Sequence, residues 1–308
     1  MSIEKQETYE HIDFSYKDNS LRVTYDIESM PDLFTLAMIH DHALSLMFFG
    51  NTQFDDLSDD ELIKQMQDFG KKSTTLEDLN VDSYEDLDYH LYRYQMGNKE
   101  DMKNLAKDLQ KIISCQRLRK DKKYNQYNNK MTEYAGWNSA HYDLPLMILV
   151  CLAAKNLGTD LTPRYIRDLS NFTITYDGPP RGFTYAVNEK FPEIASQKYA
   201  YKSLYQLAAT GDGHIDWAAL AGGDSSNSVL PPGLKKEMAR YGKDIIFDET
   251  VSDDNSKTWT DEERDTLVDY NFNDVLGTKE VGKNSILTGG LYSRDLARQM
   301  FPFTAAPY

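Results

Sequence analysis

LRVTYDIESMPDLFTLAMIHDHALSLMFFG, residues 21–50, decides the fold class. It holds three short apolar runs, Leu21 to Ile27, Leu33 to Ile39 and Ala43 to Phe49, parted by Pro31-Asp32 and Asp41-His42. Runs of this length, rich in β-branched and aromatic residues and broken by turn formers, read as a three-stranded meander. A sheet therefore opens the fold. Within its first strand, Asp26 and Glu28 stand two apart and share one face, while Ile27 points to the other. Paired carboxylate oxygens on a strand end suit a hard cation such as Mg²⁺ or Mn²⁺. An Asp-x-Glu alone is a weak signal and in an acidic protein mostly describes solvated surface.

Downstream of the meander the periodicity changes. Ser58 and Glu61 form a capping-box pattern ahead of ELIKQMQDF, and apolar residues recur at helical spacing from Asn98 to Leu118. Residues 51–131 thus read as a mostly helical insertion. Thr132 to Trp137 reads as a further strand, and Tyr142 to Leu157 as an apolar helix that stops before Gly158. Asn171 to Pro192, rich in Gly, Pro, Thr and aromatics, reads as a loop or hairpin crossing the surface. Ser203 to Ala209 is expected to be helical, His214 to Ala218 a short strand, and AGGDSSNSVLPPG a turn-rich connection before a helix at Leu234 to Tyr241. The last helix starts at a second capping box, Thr260 with Glu263, and runs through Leu267, Tyr270, Asp274 and Val281. A chain of 308 residues with strands and helices interleaved in this way is read as one elaborated α/β domain.

Two further stretches carry functional groups. In WNSAHYDLP a strand ends near Asn138 and a helix begins near Asp143. A carboxylate in a first helical turn can be a helix cap, favoured by the macrodipole, or a metal ligand delivered to the sheet edge. Asn138 can be a turn residue or a substrate clamp. In YNFND, Tyr270 and Asp274 are four apart and share one helical face.

Taken together, YDIE, NSAHYD and YNFND resemble the three motifs of the DEDD (DnaQ-like, ribonuclease H-like) 3′-to-5′ exonucleases of the tyrosine subclass. That subclass includes the proofreading domains of family B DNA polymerases, and HIDWAAL and GLKKEMARYG strengthen the similarity to its bacteriophage-type members. The resemblance runs from Leu21 to about Val281. It implies a ribonuclease H-like mixed β-sheet flanked by helices. It also implies two divalent cations, Mg²⁺ or Mn²⁺, about 3.5–4 Å apart, held by Asp26, Glu28, Asp143 and Asp274. By the same analogy Tyr270 orients the attacking water and Asn138 contacts the terminal nucleotide of a single-stranded DNA 3′ end. The long segment between the first and second motifs departs from the family pattern. The chain ends at Tyr308 without room for a polymerase domain, so a separate polymerase or replication protein is the expected partner.

Composition bounds these expectations. With 34 basic and 49 acidic residues the net charge is −15, the wrong sign for a protein that holds nucleic acid by phosphate neutralisation alone. A nuclease escapes that exclusion because bound cations reverse the local sign. The basic, tyrosine-rich RLRKDKKYNQYNNK, Arg117 to Lys130, reads either as a track for a single strand or as a solvated helix end. Asp216, His141 and Asp269 are expected to be structural, spacer and solvated respectively, and the six histidines show no zinc spacing. Two isolated cysteines, no signal peptide and no apolar run beyond Leu144 to Ala154 point to a cytoplasmic protein without a membrane anchor, within the host cell if phage-encoded. Two rival functions share these features: a catalytically inactive nucleic-acid-binding or scaffolding module, and an RNA 3′-to-5′ exonuclease.

Overall fold

The computed structural model describes residues 21–40, 42–79, 81–116, 118, 132–178, 180–194, 201–205, 213–220, 234, 238 and 258–284. The meander is present as β1 (Leu21–Ser29), β2 (Leu33–His40) and β3 (Ala43–Gly50). β1 and β2 are antiparallel with Asp26 opposite Ala37 and Glu28 opposite Thr35, and β2 and β3 are antiparallel in turn. Nearly every residue of β2 and β3 is buried, which is why the two read as continuous apolar runs rather than alternating ones. Helices cover the sheet on both sides.

After β3 come α1 (Asp59–Ser73), the single turn α2 (Leu76–Leu79), β4 (Asp88–Gln95) and α3 (Lys99–Ile113). The expected capping box of α1 is formed: Ser58 N–H donates to Glu61 Oε2 at 2.7 Å, and Glu61 N–H to Ser58 Oγ at 3.2 Å. The segment 51–131 is not simply helical, however. DYHLYRYQ forms β4, which pairs in parallel with β3 at the sheet edge. Its period-two pattern was there to read: Tyr89 and Leu91 pack on one face of the sheet, Tyr92 and Tyr94 on the other.

β5 (Thr132–Gly136) pairs in parallel with β1, and β6 (His214–Asp216) pairs in parallel with β5. The sheet is thus mixed and six-stranded, in the order β4-β3-β2-β1-β5-β6. Between β5 and β6 lie α4 (Asp143–Leu157), α5 (Pro163–Thr175) and α6 (Pro180–Lys190). α4 is apolar almost all round because it lies inside the larger core, between the sheet and other helices.

The surface loop or hairpin expected at Asn171 to Pro192 is instead the end of α5 followed by α6. Thr162 caps α5, its Oγ1 accepting from Tyr165 N–H at 3.1 Å, and Pro163 occupies the first turn. The threonines that weakened the helical pattern bond back to the helix: Thr173 Oγ1 donates to Leu169 O at 2.9 Å and Thr175 Oγ1 to Asn171 O at 2.7 Å. The aromatics pack together, Phe172 lying 5.6 Å from both Phe183 and Phe191 between ring centres. The strand expected over His214 to Ala218 ends at Asp216, where the turn α7 (Trp217–Leu220) begins. Ser203 to Tyr205 are helical as expected, and so are Leu234 and Met238; the rest of those two expected helices, the AGGDSSNSVLPPG connection and the basic stretch apart from Leu118 fall outside the described residues.

The last described helix, α8 (Asp261–Asn284), lies on the face of the sheet opposite α4. Its capping box forms, with Thr260 N–H donating to Glu263 Oε2 at 2.9 Å. Two ties fix its N-terminal end beside the β1–β2 turn. Trp259 Nε1 donates to Asp32 Oδ2 at 2.5 Å, and Arg264 makes a two-pronged contact with Asp56 at 2.9 and 2.8 Å. From there Phe272 packs on Phe69 of α1, and Val281 joins Ala135, Ile215 and Trp217 in a third, smaller core. Asp269 is half-buried near Lys72 rather than solvated.

The β5–β6 contact also sets a pH limit on stability. His214 stacks on Tyr134 at 5.9 Å with Nε2 3.3 Å from Ile113 O, and burial pushes its imidazole down to about 4. A depressed folded value means that the unfolded chain binds the proton more readily, so the stability is intact above pH 6.5 and is lost as pH falls toward 4. The residue as a whole is partly rather than fully buried, so the loss is about 2 kcal/mol rather than the ~3 kcal/mol of complete enclosure. His214→Leu is expected to flatten the melting temperature between those pH values relative to the parent chain. Parallel curves for the two proteins would count against this account.

Candidate metal centre

Parallel strands end on the same side of a sheet, and ligand sites in such sheets gather at those carboxyl ends. Here β1, β5 and β6 run parallel, so Asp26 and Glu28, the Trp137–Tyr142 turn and Asp216 all emerge at one edge. Pairing between β1 and β5 stops at Thr24 and Ala135, which leaves Asp26 to Glu28 past the end of β5. α8 then crosses this region from the other side.

Asp26, Glu28 and Asp274 come together, each offering an oxygen within 4.8 Å of the others. Ligands about 2.0–2.6 Å from a shared hard cation lie within that spread, so the cluster could hold a metal ion. Asp26 and Glu28 are partly buried, and Asp274 is 8% exposed. The carboxylates are thus withdrawn from the solvent that screens ordinary surface acids.

Asp143 is beside this trio but is not one of it. It is the first residue of α4, and Tyr142 before it makes no side-chain cap. Asp143 thus stands in the first turn of α4 rather than at the cap position, and its carboxylate is 2% exposed with Oδ1 unpartnered. Burial, followed by the charges of Asp26 and Asp216, drives its pKa well above the usual carboxylate range, while the N–H groups of Asp143 and Ile27 act in the opposite sense. A buried carboxylate oxygen without a partner, near Asp26 and Asp216, is a site that accepts a cation and is costly without one. The donor set is all oxygen, which suits Mg²⁺ or Mn²⁺ and not a soft metal.

Tyr270 is buried one turn before Asp274 on the same helical face. Asn138 is exposed and left-handed, with φ 57°, and its carbonyl accepts from His141 N–H at 3.1 Å and Tyr142 N–H at 3.2 Å. Asparagine tolerates that conformation better than most residues, so its backbone role accounts for its presence. His141 is exposed. The turn also needs Gly136, where an added Cβ would come within 2.7 Å of Ser139 Cβ.

One residue near the carboxylates escaped the sequence reading. Tyr142 donates to or accepts from Ser170 at 2.8 Å, and its phenol is raised by burial and, more weakly, by the charges of Asp143, Glu28 and Asp26. Asp216 is structural, as its place at a strand end led us to expect: it accepts from Ala140 N–H and from Ala218 N–H, both at 2.9 Å, and so ties the turn before Asp143 to the end of β6.

Neither the known family models, nor the curated proteins, nor the solved structures compared with the chain gave a match. Among the described residues, no helix is long and apolar enough to cross a membrane.

Proposed function

We propose that the chain is a metal-dependent 3′-to-5′ exonuclease with a ribonuclease H-like fold, acting on single-stranded DNA ends. The observation that carries this reading is the convergence of Asp26, Glu28 and Asp274 with the buried, unpartnered Asp143 oxygen at one sheet edge. These residues come from three distant stretches, and each belongs to one of the three motifs whose resemblance suggested the activity. A mixed sheet with helices on both faces is the kind of frame that fold requires.

When bound, two divalent cations would supply charge neutralisation at the scissile phosphate and activation of a water. Asp26, Glu28 and Asp274 would hold them, with Asp143 supplying its free oxygen. Tyr270, on the Asp274 face of α8, would orient the water through its hydroxyl. Asn138, with an exposed side chain just past β5, would contact the terminal nucleotide rather than the cations. The net charge of −15 disfavours tight unaided binding of a polyanion, so delivery of the 3′ end by a polymerase or another replication protein is part of the proposal.

The test is a 5′-labelled single-stranded DNA incubated with the full chain in Mg²⁺, Mn²⁺ or EDTA, beside an Asp26→Ala/Glu28→Ala variant and a matching RNA. The expected result is a metal-dependent ladder shortening from the 3′ end of the DNA and absent in the variant. Equal ladders from parent and variant would sink the assignment of the site. Shortening of the RNA alone would move the substrate to RNA, and no cleavage under any metal would favour a binding module.

A further inference from the structure

The same centre contains two polar groups to which no motif assigns a role. Thr35 stands directly opposite Glu28 in the antiparallel register of β1 and β2. Residues so paired share a face, with Cβ atoms about 4.5–5.5 Å apart. Asn271 lies three residues before Asp274 on α8, a spacing that makes the two side chains neighbours on one helical face. Since the Glu28 and Asp274 oxygens lie within 4.8 Å of each other, Thr35 flanks the trio from the sheet and Asn271 from the helix. Both are 1% exposed. Thr35 Oγ1 and both polar atoms of the Asn271 amide have no hydrogen-bond partner.

Neither group serves the fold. Thr35 interrupts a β2 run that is otherwise apolar from Leu33 to Ile39, where valine would have the same shape and no unmet hydroxyl. Asparagine in mid-helix is a poor helix former, and burying its amide unpaired costs stability. Thr278, one turn beyond Asp274 on the same side of α8, repeats the pattern with a fully buried and unpartnered hydroxyl. At 1% exposure a nucleotide cannot reach Thr35 or Asn271. Bulk water does not reach them either, so the partner left for them is what a cation bound at the trio brings with it.

We propose that Thr35 and Asn271 belong to the metal centre and hold the ordered water that accompanies a hard divalent cation at the Asp26–Glu28–Asp274 trio. This rests on the reading of that trio as a metal site. Carboxylates only accept hydrogen bonds, whereas a hydroxyl and an amide both donate and accept, so these two side chains can fix water that carboxylates alone leave free to rotate. Mg²⁺ and Mn²⁺ sites of this kind retain water, which is the class of cation that such a lining selects. Thr35 and Asn271 are positioning residues here.

The full chain, stripped of metal with EDTA and dialysed, is titrated with Mn²⁺ by calorimetry and melted with and without Mn²⁺, beside Thr35→Val, Thr35→Ser and Asn271→Leu. Metal-free Thr35→Val and Asn271→Leu should melt at or above the parent temperature, since each removes an unmet polar group. Their Mn²⁺ affinity should fall by about 10-fold or more, as for other partners of a metal centre's ligands, and Thr35→Ser should keep the parent affinity. Two results would overturn the proposal: Thr35→Val and Asn271→Leu binding Mn²⁺ within about twofold of the parent, or both melting lower than it without metal. A parent chain that neither binds Mn²⁺ nor gains stability from it sinks the metal reading of the trio together with this inference.

Discussion

Replacing Asp143 with asparagine is expected to raise the melting temperature of the metal-free protein and to abolish the proposed metal-dependent hydrolysis in the same molecule. The carboxylate is almost completely buried, one oxygen lacks a partner, and Asp26 and Asp216 stand near enough to raise its pKa well above the usual range. A raised folded value means that the fold is penalised once the group ionises. The penalty is absent below the ordinary carboxylate pKa and grows as pH rises through the raised value, by up to about 1.4 kcal/mol per pH unit. Asparagine has the shape of the neutral acid, and its amide can donate to the neighbouring carboxylates. Near neutral pH the gain is on the order of 2 kcal/mol, or roughly 5 °C for a chain of this size, and it vanishes near pH 4. The same change removes an anionic oxygen from the centre, so hydrolysis should fall by at least about 100-fold. Melting in EDTA across pH, with the DNA ladder at pH 7.5, checks both halves. A variant that melts below the parent at neutral pH would show that the carboxylate is satisfied within the fold, and its role as a cation ligand would lose its main physical support.

What made such a residue visible in the sequence was its motif, not its environment. The meander was legible because turn residues at Pro31-Asp32 and Asp41-His42 punctuate strands of ordinary length, and both capping boxes, Ser58 with Glu61 and Thr260 with Glu263, form hydrogen bonds within four residues. Local chemistry of this kind needs no tertiary information. β4 was missed because its tyrosines follow a helix and precede another, and only pairing with β3 decides between the two periodicities. α5 and α6 were missed because Thr173 and Thr175 argue against a helix until their hydroxyls find carbonyls one turn back.

At the site, Asp26, Glu28 and Asp274 could be named because each sits in a short pattern, and the structure brings them together. Asp143 was named for the same reason, yet whether it capped a helix or faced other charges depended on burial, which one sequence does not reveal. Asn138 was named as a clamp, while its left-handed backbone supplies a structural reason for asparagine. Thr35 and Asn271 were invisible for a different reason. A threonine in a strand and an asparagine in a helix are unremarked until their neighbours are known to be carboxylates.

Asp216 carries the opposite expectation to Asp143. Asp216→Ala should lower the melting temperature and the rate of hydrolysis together. Its two oxygens each accept one backbone N–H, from Ala140 and Ala218, and the side chain is 9% exposed, so water replaces it poorly. Hydrogen bonds to a charged group are worth about 1.5–3 kcal/mol each. Losing the Asp216 charge also relieves Asp143, which it helps to raise, but Asp216 is only the second of the two charges acting there. The net change is therefore a loss, on the order of 2–3 kcal/mol. Without Asp216 the turn from Trp137 to Tyr142 keeps only the longer tie of Ser139 Oγ to Ile215 O, 3.4 Å, on β6, and Asp143, the residue that follows it, is held less firmly against the trio. A loss of kcat about 10-fold or more, with KM little changed, is the expected kinetic signature of a residue that positions a ligand without touching substrate. Asp216→Asn, which keeps one acceptor oxygen, should fall between parent and alanine in both measurements. A rise in KM with kcat unchanged would instead place Asp216 in contact with the nucleic acid, and an alanine variant as stable and active as the parent would remove it from the site altogether.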